Sequence, residues 1–310
     1  MLDFLFSAAL LAAAANHATA GNDQRPASVA EAPQPKAADQ APAVEARRRR
    51  PRMAGSETGY IDDAVIASKI RIRFDAAFDM NRPDRAEFFY AKCGCYRGVP
   101  VSQGGDPNAP GPGAEAANRL NYQELYVDLE YAPTNRFSLV AEVPFRSIQI
   151  KDPAGMLPVQ TGISDFRAGV KVALLASERQ YLTAQFRAYA PTGSAASGLG
   201  TNHVSLEPSV IWYRRVGSRE TVSAQFGGWI PISSSAGVPI TSSQKFGGQV
   251  LTYGVGASYD AIHRSETLRV SPVLEFVGWS VLNGFETNGS PTATHTIVNG
   301  KLGARFTFGG

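Results

Sequence analysis

Charged side chains fall at alternate positions of several segments whose other positions are mostly apolar. Successive side chains of an extended strand leave opposite faces, so the ions would share one face of a sheet. Eight are cationic and eight are anionic, and neighbouring segments often carry opposite signs, so cross-strand pairs could satisfy them. Such a face could pack an interior, or line a selective path for ions and polar solutes. The predicted set is Arg71, Arg73, Asp75, Glu124, Asp128, Glu130, Glu142, Asp165, Arg167, Lys171, Arg187, Glu207, Arg269, Glu275, Lys301 and Arg305.

A serine and a histidine are the residues that could support hydrolysis. Ser205 lies two residues after His203, so both would project from one face of a strand. Serine is common in such strands, and no G-x-S-x-G turn accompanies the pair. We therefore assign no catalytic residue, expect no enzymatic activity and predict no cofactor.

Two cysteines are separated by a single residue, in Cys93-Gly94-Cys95. Two thiols could bind a soft metal, but a structural zinc site needs four ligands and none lies nearby in sequence. In an oxidising compartment, a strained local disulfide or pairing with another chain is the alternative. We favour a disulfide between Cys93 and Cys95 that tightens a loop, and we predict no metal site.

The elements that must position these residues are strands. No apolar run of about 18 residues is present, whereas a strand crosses a bilayer with about 9–11 alternating residues. The pattern predicts an all-β fold, a transmembrane antiparallel up-and-down β-barrel. Bulges are expected at Pro208 and Pro272, since proline cannot donate to a ladder. The predicted strands are 66–79, 121–132, 136–146, 163–175, 180–190, 203–214, 220–230, 249–259, 267–279 and 296–308.

The connections between these strands predict an orientation. They alternate between short turns and long loops, and bacterial barrels place short turns in the periplasm. The longest connection, 80–120, is predicted to be an extracellular loop that is either functional or disordered. Direct closure of ten strands would place Lys301 and Arg305 beside Arg71 and Arg73, which is unfavourable for like charges. Twelve strands, with a truncated C-terminus, are therefore the alternative to ten.

Aromatic residues near strand ends favour a membrane barrel over a soluble β-sandwich. Such rings can lie at the headgroup level, whereas a sandwich tends to bury them in mid-strand. The net charge of +3 is too small and too dispersed to indicate nucleic-acid binding. The residues expected at the two interfaces are Tyr122, Tyr131, Phe137, Phe145, Tyr181, Tyr189, Trp212, Trp229, Tyr259 and Trp279.

The N-terminal part of the chain differs in composition from the rest. An apolar stretch followed by Ala18-Thr19-Ala20 predicts a signal peptide at residues 1–20. Residues 21–60 are rich in Ala and Pro and carry the run 47–50 of arginines, which predicts a disordered periplasmic tail. The arginines are either simply solvated or bind an anionic partner such as lipopolysaccharide. Residues 61–310 are assigned to the barrel.

Short glycine-rich motifs resemble a known family. Gly162-Ile163-Ser164-Asp165, Ala190-Pro191-Thr192-Gly193 and the run 198–203 (GLGTNH) are similar to the outer-membrane β-barrel proteins of the phenol-degradation meta-pathway. The resemblance covers about 120–308. It implies a barrel that transports hydrophobic or aromatic compounds.

Together these features predict a passive transporter of small solutes in the outer membrane of a Gram-negative-type bacterium, with selectivity set by the inward charges. The expected partners are outer-membrane lipid and lipopolysaccharide, the barrel-assembly machinery and a small-molecule solute, with no nucleic acid. The alternative is a sealed structural or surface-interaction barrel that conducts nothing. The oligomeric state is left open.

Overall fold

A computed structural model describes residues 61–80, 100–103, 119–152, 155–232, 249–264, 268–282 and 296–308. The predicted signal peptide 1–20, the predicted tail 21–60, most of the 80–120 loop and the pair Cys93 and Cys95 lie outside the described residues.

The described chain forms one antiparallel sheet curled into a half-barrel. Ten longer strands neighbour one another in chain order, and each coincides with a predicted strand to within about three residues at either end, except that β3 extends six residues beyond its predicted end. Three short strands add to the sheet: β4 and β5 pair with β3, and β11 pairs with β12. The strands are β1 Lys69–Met80, β2 Arg119–Tyr131, β3 Phe137–Asp152, β4 Gly155–Met156, β5 Gln160–Ile163, β6 Phe166–Ala176, β7 Gln180–Ala190, β8 Ser205–Arg215, β9 Glu220–Pro231, β10 Val250–Tyr259, β11 Ile262–Arg264, β12 Leu268–Val281 and β13 Thr296–Phe308.

The two-residue alternation sorts the two faces of this sheet. On β8, for example, Ser205, Glu207 and Ser209 are buried, whereas Leu206 is partly exposed and Pro208 and Val210 are exposed. The buried face is the inner face of the half-barrel, and the exposed face carries large apolar residues on nearly every long strand. Polar groups inside and apolar groups outside are the reverse of an ordinary soluble protein.

Two interruptions of the strand pairing occur at positions other than those predicted. Register shifts lie between Ala77 and Met80 and between Ala173 and Leu175. The expected bulges at Pro208 and Pro272 are wrong, since Phe186 pairs with Pro208 and Pro272 with Ala304 without a shift. Around Pro208, the ladder between β8 and β9 skips two positions on each strand. Pro208, which has no N–H to donate, thus lies in a short unpaired stretch of the ladder, and no bulge residue is inserted.

Strands β6 and β7 approach each other closely at a glycine. A Cβ placed on Gly169 would lie 2.1 Å from the backbone oxygen of Phe186 and 2.8 Å from the Cα of Arg187. Backbone atoms cannot move aside as a flexible side chain can, so the position requires glycine. This close contact fixes β7, which carries Arg187, against β6.

Strands β1 and β13 form the two edges of the sheet, and no pairing joins them within the described ranges. Their inner faces carry Arg71 and Arg73 on one side and Lys301 and Arg305 on the other. Both edges are therefore basic, as the like-charge argument from the sequence anticipated. The alternative strand numbers, ten and twelve, both stay predictions.

Candidate functional site

The inner face carries rows of ionic side chains that follow the strand register. Arg71 on β1 lies opposite Asp128 on β2, which lies opposite Glu142 on β3, which lies opposite Arg167 on β6. The Nε atom of Arg71 is 2.9 Å from Asp128 Oδ2, and Arg167 Nη1 is 2.5 Å from Glu142 Oε1. The row reads plus, minus, minus, plus, so each acid is adjacent to a cation. Buried charges require such compensation.

Tyr126 on β2 lies between two arginines of the same face. The guanidinium carbon of Arg73 is 3.9 Å from the centre of its ring, and that of Arg167 is 5.6 Å away. The phenol hydroxyl donates to Glu124 at 2.5 Å, and Glu124 also pairs with Arg146 Nη2 at 2.6 Å. Cation–π contacts and charge-assisted hydrogen bonds hold this cluster rigidly.

Residues 61–66, which we name the inner segment, lie inside the half-barrel before β1 begins. All six are buried, although none belongs to a strand. Their backbone carbonyls accept from the sheet: Lys171 Nζ donates to the oxygen of Asp63 at 3.0 Å, and Thr183 Oγ1 donates to that of Ala64 at 2.6 Å. Asp63 also pairs with Lys69. The inner segment therefore fills part of the interior that the sequence analysis assigned to strand ions alone.

Asp62 is the most highly coordinated residue of the inner segment. Arg187 Nη2 is 2.9 Å from Oδ2, and Arg187 Nη1 donates to Oδ1 at 3.2 Å. The side-chain amides of Gln185 and Gln225 donate to Oδ2 at 2.9 and 3.3 Å. Gln225 Oε1 accepts from the Asp62 backbone N–H at 2.7 Å. We name Gln185, Arg187 and Gln225 the carboxylate clamp.

The clamp keeps Asp62 ionised. Burial alone would raise the pKa of this carboxyl, but Arg187, with Lys171, Arg71 and the Gln185 hydrogen bond, lowers the pKa to about 2. Hydrogen bonds and cations that favour the charged form outweigh desolvation here.

A cavity opens beside the clamp. Its wall combines Trp229, Trp279, Tyr189 and Val250 with the arginines and acids of the inner face. The Tyr189 and Trp229 rings meet edge to face, with centroids 6.5 Å apart, and Arg167 lies 4.7 Å from the centre of the Tyr189 ring. We name this space the aromatic cavity.

The aromatic cavity corrects three of the predicted interface positions. Trp229 and Trp279 are buried on the inner face, and Tyr189 lines the same cavity. The alternation along each strand indicates the inward direction, since Trp229 is on the same face as Gln225 and Trp279 is on the same face as Glu275. A position near a strand end does not set the direction of a side chain, because the alternation along the strand decides which way it points.

The Ser205 and His203 pair is formed, but in a local structural setting. Ser205 Oγ is 2.9 Å from His203 Nδ1, and the imidazole packs 5.2 Å from the Trp229 ring centre. Burial lowers the pKa of His203, with an opposing contribution from Asp165. Within the described residues Nε2 has no hydrogen-bond partner, and no carboxylate orients the ring through a hydrogen bond. The geometry offers no third group of a triad, so we assign no catalytic role to it.

Asp165 differs from the other predicted inward ions. It lies just before β6, where Oδ1 accepts from Gly193 N–H at 3.0 Å and Oδ2 accepts from Thr201 N–H and Oγ1 at 2.8 and 2.7 Å. A Cβ on Gly200 would lie 2.4 Å from Oδ1. The glycine-rich motifs thus fold around one carboxylate, which ties loops together and faces no open space.

The other predicted inward ions occupy the inner face as expected from parity. Arg187 contacts Glu207 at 2.7 Å, Glu130 contacts Lys171 at 3.1 Å, and Glu275 is opposite Lys301 in the strand register. Arg269 lies in β12, and its side chain is outside the described part of the structure. The predicted ions whose side chains lie on the inner face are Arg71, Arg73, Asp75, Glu124, Asp128, Glu130, Glu142, Arg167, Lys171, Arg187, Glu207, Glu275, Lys301 and Arg305. Their role in selectivity stays a prediction.

Several inner residues were missed by sequence reasoning. Arg146 shares the parity of Glu142 but stands at the end of the predicted strand 136–146, whereas β3 continues to Asp152. Gln185 and Gln225 share the inward parity but are uncharged. The carboxylates of the inner segment, Asp62 and Asp63, have no strand pattern to mark them.

Neither a metal-binding cluster nor a membrane-spanning helix is found among the described residues. No group of three or more His, Cys, Asp or Glu side chains there is arranged to hold a metal ion. No helix there is long and apolar enough to cross a membrane. No family model matches the chain, and no curated protein is significantly similar to it.

Proposed function

We propose that the chain is an outer-membrane β-barrel that passively transports small solutes. The observation that carries the proposal is the sorting of side chains by the sheet. Ionisable groups lie on the inner face, as in the row from Arg71 to Arg167, while Phe226, Val255 and Leu302 are 60, 57 and 66% exposed on the outer face. An apolar outer band with a polar interior is typical of barrels in lipid.

The interior supports transport of polar or charged solutes. Fixed charges along a path set the barrier for each permeating ion. The aromatic cavity adds apolar walls beside those charges, which suits solutes with an apolar body. The resemblance to barrels of the phenol-degradation meta-pathway agrees with such solutes.

The proposal includes a route to the outer membrane and an orientation in it. A signal peptide at 1–20 would direct export, and the barrel-assembly machinery would insert the protein among outer-membrane lipid and lipopolysaccharide. The short turn at Ser177–Arg179 would then face the periplasm of a Gram-negative-type cell.

A sealed structural or surface-interaction barrel is the second candidate. The inner segment and its hydrogen bonds to Lys171 and Thr183 favour it, because they occupy interior space. Cross-strand ion pairs can also close a small barrel.

Conductance of the purified protein in planar bilayers tests both candidates. Transport predicts a measurable current, and Arg71→Gln should shift the reversal potential towards cation selectivity because it removes an inward positive charge. The matched control is Arg179→Gln, which removes the same charge from an exposed turn and should leave selectivity unchanged. The absence of current for a series of ions, together with no swelling of protein-loaded liposomes in neutral solutes, would reject transport and favour the sealed barrel.

A further inference from the structure

We infer that the carboxylate clamp of Gln185, Arg187 and Gln225 is a binding site for the carboxylate of a small solute, occupied in this conformation by the protein's own Asp62. The inference deepens the proposed transport function and rests on it for its physiological meaning. The binding itself is argued from the clamp, the inner segment and the aromatic cavity.

The clamp has the donor geometry that a carboxylate requires. Two nitrogens of Arg187 contact the two oxygens of Asp62, at 3.2 and 2.9 Å. Two amide groups add donors from β7 and β9, at 2.9 and 3.3 Å. An arginine fork matches the planar, two-oxygen shape of a carboxylate and fixes its orientation. A solute carboxylate would meet the same donors.

Asp62 is an exchangeable occupant because it stands outside the sheet. It belongs to the inner segment, which contributes no strand pairing, so its departure leaves the ladders from β1 to β13 intact. Arg187 also keeps a second partner, since Glu207 Oε1 lies 2.7 Å from Nη2 and Oε2 lies 3.2 Å from Nε. The arginine would therefore stay oriented when Asp62 leaves.

The aromatic cavity supplies room for the rest of the solute. Asp62, Arg187 and Gln225 lie in the wall of this cavity, together with Trp229 and Tyr189. A carboxylate seated in the clamp would thus extend its apolar body against aromatic rings. Apolar walls with a few convergent polar groups are characteristic of small-molecule sites.

Nearby acids limit the charge of the solute. Arg73, Arg167 and Arg187 line the same cavity with Glu142 and Glu207, so three cations would face two acids once Asp62 leaves, and a dianion such as phosphate would exceed that balance. Like charges in a poorly hydrated space repel strongly. A monocarboxylate replaces the single negative charge of Asp62 without adding another.

Binding of benzoate to the full-length protein in detergent micelles tests the inference. Trp229 and Trp279 line the cavity, so tryptophan fluorescence reports occupancy. Asp62→Ala should bind benzoate about tenfold or more tightly than the wild type, because the internal competitor is removed. Benzyl alcohol, which has the ring but no carboxylate, should show no such gain.

The matched control is Asp63→Ala. Asp63 lies on the same segment, but its carboxylate pairs with Lys69 and accepts from the Val65 N–H, whereas the clamp donors bond to Asp62. We expect its benzoate affinity to equal that of the wild type. In the Asp62→Ala background, Gln225→Leu should weaken benzoate binding, while circular dichroism and the melting temperature verify folding.

Two results would overturn the inference. One is equal benzoate affinity in the wild type and Asp62→Ala, and the other is an equal gain for benzyl alcohol. Because fluorescence in micelles needs no conduction, benzoate binding without current would reject the proposed transport and leave the site standing. Current that benzoate and Asp62→Ala do not alter, with no benzoate binding, would reject the site and leave transport standing.

Discussion

Replacing Val255 by arginine tests whether the outer face contacts lipid. Val255 lies in the middle of β10, with Ala224 of β9 and Phe276 of β12 beside it in the register. Its side chain is 57% exposed, so in water the substitution should change the free energy of unfolding by no more than about 0.5 kcal/mol. At the midplane of a bilayer, an outward arginine instead costs about 2–4 kcal/mol. That cost lowers the folding equilibrium constant about 30- to 700-fold.

The assay is denaturant unfolding of the protein in lipid vesicles, followed by tryptophan fluorescence. Tyr259→Arg is the control, because Tyr259 is also exposed but ends β10, where an arginine near the interface costs only about 0–1 kcal/mol. A depth-dependent loss, larger for Val255→Arg, is expected. Equal losses for the two variants, or no loss for Val255→Arg, would refute the assignment of this face to lipid.

Three further outcomes follow from the interior. Arg167→Met should lower the unfolding free energy by about 3–5 kcal/mol, because it leaves the buried Glu142 without its arginine partner. Arg119→Met, which breaks an exposed ion pair with Asp79, should change the unfolding free energy by less than about 1 kcal/mol. Denaturant titration measures both changes. Gly169→Ala should reduce the yield of folded protein in refolding assays, since the new Cβ would overlap the backbone of the next strand. The pKa of Asp62 is lowered from 3.8 to about 2 in the folded protein, so its ionised carboxylate stabilises the fold by about 2 kcal/mol. This stabilisation is present above pH 4 and is lost as the pH falls towards 2. Acid unfolding of Asp62→Asn should lack that component, and an unchanged acid profile would contradict the clamp.

The strands were predictable from sequence because their signal is local. The alternation within a single strand indicates which side chains share a face. On β6, for example, Arg167, Gly169 and Lys171 share one face, and Ala168 and Val170 share the other. The strand pairs are also mostly neighbours in sequence, so chain order predicts the sheet order. The inward position of the ionic residues followed from the same parity.

The inner segment was not predictable because its signal is not local. Asp62 bonds to Gln225, 163 residues later in the chain, and nothing in the sequence near Asp62 indicates that partner. The segment contains Ile61 and Ile66, which are compatible with an early start of the first strand as well as with an interior position. Only the three-dimensional arrangement of β7 and β9 distinguishes these two roles.

The attachment of Asp62 to β1 through a short stretch of chain sets a concentration scale for any competing anion. A tethered group acts at an effective concentration of about a millimolar even on a short flexible linker, and the buried, hydrogen-bonded inner segment holds Asp62 at least as strongly as that. If a free carboxylate and Asp62 have similar intrinsic affinities, exchange begins only when the free anion reaches that range. The short tether would therefore make the site respond to abundant solutes and ignore traces.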